Sequence, residues 1–210
     1  MMKQFRITAA LLTLALTAAS STAFAQATQW KVDPSHSEAA FGIRHFFTTV
    51  AGRFNTMSGS ISFDEKDRSK SRVEATIDAN SVFTNHEKRD GHLRSEDFFD
   101  VAKNPTITFK STKVVAGEGN DFTIEGDLTM RGITKKVVLD ATYLGAMELG
   151  NGRAKAGFTA TTKLNRKDFN IVWNRTLDNG SVMLADDVTI TLNIEADKVV
   201  ADAAPAAAGK

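Results

Sequence analysis

Cysteine is absent from all 210 residues. That excludes disulfides, thiolate metal sites, c-type haem attachment and redox pairs, so the fold must be held by its core. Histidine is scarce: His36, His45, His86 and His92 contain no pair four residues apart, so the zinc-protease spacing is missing. No Gly-x-Ser-x-Gly elbow occurs, and no glycine-rich phosphate loop follows a strand. With no positive sign of catalytic machinery, the chain reads as a non-enzyme. A strong net charge is also lacking. The 26 basic residues nearly balance the 25 acidic ones. The first 25 residues hold two of the basic ones, Lys3 and Arg6, and none of the acidic ones, leaving a formal −1 for the rest. That balance gives no electrostatic case for nucleic acid as a partner. Finally, no apolar run is long enough to span a bilayer; the longest, Ile7 to Leu16, falls short of the roughly 20 residues required.

That short run has a different meaning. A basic start, an apolar stretch and a closing Ala23-Phe24-Ala25 form the pattern of a cleaved secretory signal, with the mature chain starting at Gln26. Export to the periplasm is the expectation, as a protein not integral to the membrane. Residues 26–198 are long enough for one domain with a real core. Residues 199–210, rich in Ala with one Pro, read as a disordered tail.

What the domain does contain is alternation. Ala39, Phe41, Ile43, His45 and Phe47 fall on one face of a period-two run, opposite Glu38, Gly42, Arg44 and Phe46. The same rhythm recurs through Ile61 and Phe63, Val73 to Ile77, Ile107 to Ser111, and Phe122 to Met130. It continues in Val137 to Tyr143, Ala156 to Thr162 and Val188 to Ile194. Turn signals punctuate it at Ala51-Gly52, Ser58-Gly59, Gly117 to Asn120, Arg131-Gly132, Gly150 to Gly152 and Asp178-Asn179-Gly180. Short strands with short connections predict an all-β, antiparallel sandwich or closed barrel.

One segment breaks the rhythm. Thr84 to Val101 opens with Thr84-x-x-Glu87, the spacing of a capping box, and places Leu93, Phe98 and Val101 on a helical stripe before Pro105. Gly91 divides the options between one helix and two short turns, the second capped by Ser95. A non-strand insert among antiparallel strands would cross one end of a barrel as a lid. The inward set mixes Phe41, Phe54, Phe63, Phe109, Phe122 and Phe158 with small residues. Such a set either fills a small barrel or lines an apolar cavity, since about eight strands can enclose one small ligand.

The ordered motifs also carry a resemblance. Trp30-x-Val32-Asp33-x-x-His36-Ser37, Phe41-Gly42-Ile43-Arg44-His45 and Val50-Ala51-Gly52-Arg53-Phe54 are followed by Arg89-Asp90-Gly91-His92-Leu93-Arg94-Ser95 and Asp97-Phe98-Phe99-Asp100-Val101. Then come Asn104-Pro105, Gly126 to Lys135, Asn165-Arg166-Lys167-Asp168-Phe169 and Val188-Thr189-Ile190. Together, from about Gln29 to Ala196, the chain resembles the YceI-like family of exported proteins. The resemblance implies a lipocalin-like antiparallel β-barrel of about eight strands with a short helical lid. It also implies an interior ligand, a long-chain isoprenoid or other lipid, including isoprenoid quinones, with no other cofactor and no metal. It suggests a homodimer as well. The segment Thr176 to Leu184 does not align with the family pattern.

On this reading Phe41, Ile43, Phe54, Phe63, Ile77 and Phe109 line the tunnel, with Leu128, Phe158, Phe169 and Leu192. Phe98 closes it from the lid, while His45, His92 and Arg94 meet a polar headgroup. Bland readings stand beside these. His45 is equally a buried, backbone-bonded histidine, and the lid charges form ion pairs with Glu87, Asp90, Glu96 and Asp97. The leading expectation is a periplasmic carrier of a long apolar ligand. The alternatives are an isomerase-like enzyme acting through His45 and His92, and a filled barrel that binds a partner.

Overall fold

Period-two patterning becomes strand in nearly every segment that carries it. The computed structural model describes residues 27–176 and 183–200. Its strands are β1 (Thr28–Val32), β2 (Glu38–His45), β3 (Thr48–Phe54), β4 (Met57–Phe63), β5 (Arg72–Asp78) and β6 (Val82–Phe83). After one helix, α1 (Glu87–Arg94), come β7 (Thr106–Ala116), β8 (Asp121–Met130), β9 (Ile133–Gly150), β10 (Arg153–Asn165) and β11 (Leu184–Lys198). Among the described residues, no helix is long and apolar enough to cross a membrane.

Eight strands close into an antiparallel ring in the order β1-β4-β5-β7-β8-β9-β10-β11. Closure comes from β1 on β11, with Trp30 opposite Lys198 and Val32 opposite Ala196. The long β11 serves a second partner as well: Val188 to Asn193 pair with β2. The sheet therefore continues through β2, β3 and β6 at the other end.

The point where β1 hands over to β2 is pinned tightly. Asp33 donates its backbone N–H to Glu195 O at 2.9 Å, and Ser37 Oγ donates to the same carbonyl at 3.0 Å. Lys155 Nζ on β10 lies 2.8 Å from Asp33, 2.7 Å from Glu195 and 3.0 Å from Asp197. Bonds from Lys155 and then His36 hold the Asp33 carboxyl well below the usual carboxylate range. Those three carboxylates in turn push the Lys155 ammonium up.

Side chains fill the two ends of the barrel and leave the middle thin. At the β1 end, the Phe63 ring packs against Tyr143 at 4.7 Å, Phe158 at 5.0 Å and Phe122 at 5.8 Å between centroids. Arg68 stacks 4.5 Å over Phe63, and the Tyr143 hydroxyl donates to Glu65 at 2.6 Å. Burial, with that carboxylate beside it, pushes the Tyr143 hydroxyl pKa up. Each such buried aromatic contributes roughly 1.5–3 kcal/mol. At the α1 end a second cluster gathers Phe54, Val82, Phe98, Ile107, Met130, Phe169, Ile171 and Leu184.

Four local expectations are corrected. Phe47 does not face inward; it is 92 % exposed because β2 ends at His45 and Phe46-Phe47 form the hairpin loop. Thr84 is not the helix cap. His86 takes that role by accepting from Arg89 N, while Thr84 bonds through backbone and hydroxyl to Asp90. Ala51-Gly52 and Ser58-Gly59 lie inside β3 and β4 instead of in turns, and a side chain on either glycine would strike a neighbour at under 3 Å. The helix ends at Arg94 with Ser95 as its C-cap, so Phe98 and Val101 lie in the turns beyond it. Arg131-Gly132 forms the expected hairpin, with φ of +51° and +73°. The signal segment with Ala23-Phe24-Ala25, the Asp178-Asn179-Gly180 turn and the tail from Ala201 lie outside the described residues.

The seam yields a pH prediction. A carboxylate whose folded pKa is depressed contributes stability above its unfolded pKa and loses it as pH falls through the folded value. Lys155→Met leaves Asp33, Glu195 and Asp197 without the ammonium that bridges all three, and with only His36 beside Asp33 and Glu195. Its melting temperature is expected to fall below that of the wild type at pH 7, and the gap to shrink as pH drops below about 4. Thermal melts of both proteins from pH 3 to 8 check this.

Candidate functional site

Between the two packed ends lies a cavity of about 520 Å³. That is within the range of roughly 300–1,000 Å³ typical of small-molecule sites. Its walls are aliphatic and aromatic. Val188, Ile190, Leu192 and Ile194 line it from β11, facing Val73 and Ile77 on β5, Phe109 on β7 and Leu128 on β8. These residues share the inward phase of the fully buried ones yet remain only half-buried, because they face open space. From Ile194 to Val188 the lumen follows β11 for roughly 20 Å at 3.3 Å per residue.

Two glycines keep it open. Gly52 lies directly across from Phe41, and a Cβ there would sit 2.4 Å from the ring. Gly126, opposite Ser111 and diagonal to Phe109, gives its ring the same room: a Cβ there would sit 2.4 Å from the Phe109 ring and 2.7 Å from Lys110 O. On two far-separated strands, a phenyl ring lies back over a bare backbone instead of projecting into the bore.

Polar groups collect at the α1 end. Lys88, Arg89, His92 and Leu93 form one face of the helix and line the cavity there, with His45, Thr84, Arg166 and Trp173. His92 bonds Asp97 Oδ2 at 2.8 Å and sets its ring edge-on to Phe98 and Trp173, both at 4.9 Å. Arg89 donates to Thr84 Oγ1 at 2.7 Å and Thr84 O at 2.8 Å. Arg166, only 3 % exposed, donates to Ile171 O, Trp173 O and Ala185 O, and its burial lowers its pKa. Among the described residues, the side chains of Lys88 and His45 make no hydrogen bond or ion pair. Glu74 is the one carboxylate residue on the lining, and its acid group is turned outward to Lys110 at 2.8 Å.

Ten residues singled out from the sequence meet in this lining: Phe41, Ile43, His45, Phe54, Ile77, His92, Phe98, Phe109, Leu128 and Leu192. Four do not. Phe63 and Phe158 point inward but are consumed in the plug at the β1 end. Phe169 is buried in the rim turn Arg166–Phe169, outside the lumen. Arg94 donates to Asn80 O at 2.8 Å and Val82 O at 3.1 Å, bracing backbone instead of facing the cavity. Sequence reasoning missed Lys88, Trp173, Ile190 and Ile194. Period two marks the last two; the i, i+4 spacing of Lys88 to His92 was a usable sign for the first. Trp173 lies in the irregular stretch 171–175 and carries no periodic signal. The trio Asp33, His36 and Glu195 has metal-ligand spacing, but Lys155 already neutralises its two carboxylates.

A closed antiparallel barrel with an apolar lumen and a helix across one mouth defines a lipocalin-like architecture. The model of the YceI-like domain matches residues 30–196, and the chain belongs to that family. A Pectobacterium atrosepticum relative, a UPF0312 protein, is 41 % identical over 188 residues, covering 87 % of this chain and 94 % of its own. Among solved structures, Burkholderia cenocepacia BcnA superposes with a TM-score of 0.69 at 22 % identity, covering 78 % of this chain and 98 % of its own. A polyisoprenoid-binding domain from Saccharophagus degradans gives 0.59 at 17 % identity, covering 82 % and 99 %. At those identities the two structures speak to the fold alone.

The glycine–aromatic pairs can be tested. Gly126→Ala forces the Phe109 ring off its seat, and the vacant volume is the lumen. We expect a loss of roughly 1–3 kcal/mol, as for other overpacked cores. A crystal structure of the variant should show the ring swung inward and the cavity smaller.

Proposed function

We propose that the protein is an exported carrier that holds one long apolar molecule, a polyisoprenoid or an isoprenoid quinone, inside the barrel. The observation that carries this reading is the uninterrupted apolar wall from Ile194 to Trp173, ending in a polar mouth. A chain-like hydrocarbon suits that shape: its burial is worth roughly 25 cal/mol per Å² before ordering costs. The polar end of the ligand would stop at the mouth, near Lys88, His45 and His92. The description of the Saccharophagus degradans domain as polyisoprenoid-binding is in line with this, as is the family resemblance. The periplasm as location rests on the basic, apolar and Ala23-Phe24-Ala25 pattern of the first 25 residues. No chemical step belongs to this reading; loading and release are the activity.

Mass spectrometry of protein recovered from a periplasmic extract tests both parts together. The expected results are a mature chain starting at Gln26 and, in the organic extract, one co-purifying isoprenoid. Leu192→Glu, which sets a charge in the lumen, should reduce the recovered lipid at least about tenfold, since a buried unpaired carboxylate is strongly disfavoured. Protein retained uncut in membranes would overturn the location. A lipid-free extract, with no uptake of added decaprenol, would overturn the carrier.

A further inference from the structure

Two aromatic residues at the rim are at odds with water, and one of them also with its own backbone. Phe46 and Phe47 form a two-residue hairpin loop between His45 and Thr48. Its first position has φ of +50°, where glycine is the favoured residue and a bulky side chain is strained. Phe46 is nevertheless a phenylalanine and 37 % exposed, while Phe47 is 92 % exposed. The loop stands at the cavity mouth: His45 lines the lumen, and Phe46 N–H donates to the carbonyl of Met183, another lining residue, at 3.1 Å. Val172, 58 % exposed, lies at the same end of the barrel. Backbone strain at a site of this kind is a pointer to function.

We propose that this hairpin is a membrane-docking wedge that sets the α1 end of the barrel against a lipid bilayer. The two rings are too small a surface for a stable protein partner. Each aromatic side chain buries about 150–250 Å², well short of the roughly 1,200 Å² that specific protein interfaces bury in total. A bilayer interface needs no such area, because a few aromatic side chains enter the headgroup boundary individually. The surrounding charge is mixed, and its cations can meet lipid phosphates. Exposed Arg44, Lys88 and Arg175 lie at this end, and the backbone O of Arg175 accepts from Met183 N. Asp97 and Asp186 are engaged by His92 and by Arg166 and Lys167, while Glu87, Glu96, Asp168 and Asp187 remain as exposed acids at this end. Docking in this orientation brings the helix-covered mouth of the lumen to the layer from which an apolar chain would be loaded. In that respect the proposal rests on the carrier reading, and isoprenoid-free vesicles separate the two.

Flotation with phosphatidylcholine vesicles containing phosphatidylglycerol, and no isoprenoid, is the test. Wild-type protein is expected to float with them. In Phe46→Gly combined with Phe47→Ser, the vesicle-bound to free ratio should fall at least about tenfold. Its melting temperature should not fall, because glycine relieves the turn. Phe47→Ser alone, at a position with almost no packing to lose, should show most of the effect. Wild-type protein that stays unbound, or variants that float equally well, would overturn the proposal. So would a dimer in sedimentation that the substitutions dissolve without any vesicle binding, since the partner would then be a second copy. Lipid recovered from a protein that fails to float would leave the carrier reading standing and remove only the wedge.

Discussion

Pairing of β1 with β11 is the constraint from which the interior follows. Once three residues of β1 lie against the end of β11, every strand of the ring has one face that cannot reach water. Eight strands enclose more space than aliphatic side chains of the middle layer fill. Aromatics stacked under Arg68 close one end, and the helix with its following turns covers the other. The middle remains open. Apolar walls without packing partners forfeit their dispersion contacts, which is a liability for an empty barrel and an advantage for one that holds a hydrocarbon. The Lys155 cluster sits at the handover from β1 to β2, so the electrostatics of the seam and the existence of the lumen are linked.

The rim is governed by a different requirement. Irregular backbone leaves carbonyls that no neighbouring strand satisfies, and buried carbonyls need donors. Arginines supply them. Arg94 reaches Asn80 and Val82, Arg131 reaches Phe98 O at 2.7 Å, and Arg166 bonds three carbonyls at once. The planar, five-donor guanidinium suits that task in a way an ammonium does not. The consequence is a division of labour. Most guanidinium groups near the mouth are spent on architecture, and the Lys88 ammonium and the His45 imidazole are left facing the lumen.

Strand phase was legible because it depends on one local quantity, the alternation of apolar residues. Phe41, Phe109 and Leu192 all landed on the inner wall for that reason. What alternation cannot report is axial depth. Phe63 and Phe158 have the same phase as Phe109 but sit where four rings converge, so they plug instead of line. Glycine was misread in a similar way. Gly52 and Gly59 resemble turn residues in one dimension, yet in three dimensions they mark close approach of a ring or a neighbouring strand. Arg94 in the lid looked like a headgroup ligand because a sequence shows its charge and not the carbonyls it faces. Phe47 slipped out of phase because the loop closes two residues long, at a place with no glycine to announce it.

The central claim is that the lumen between Ile194 and Trp173 is a site for an extended apolar chain. A high-resolution crystal structure of the protein purified without added lipid tests it most directly. The expected result is continuous, unbranched-to-methyl-branched electron density along β11, with its polar end beside Lys88 and His92. A lumen collapsed by inward rotation of Phe41 and Phe109, or filled by a chain of ordered waters, would contradict it.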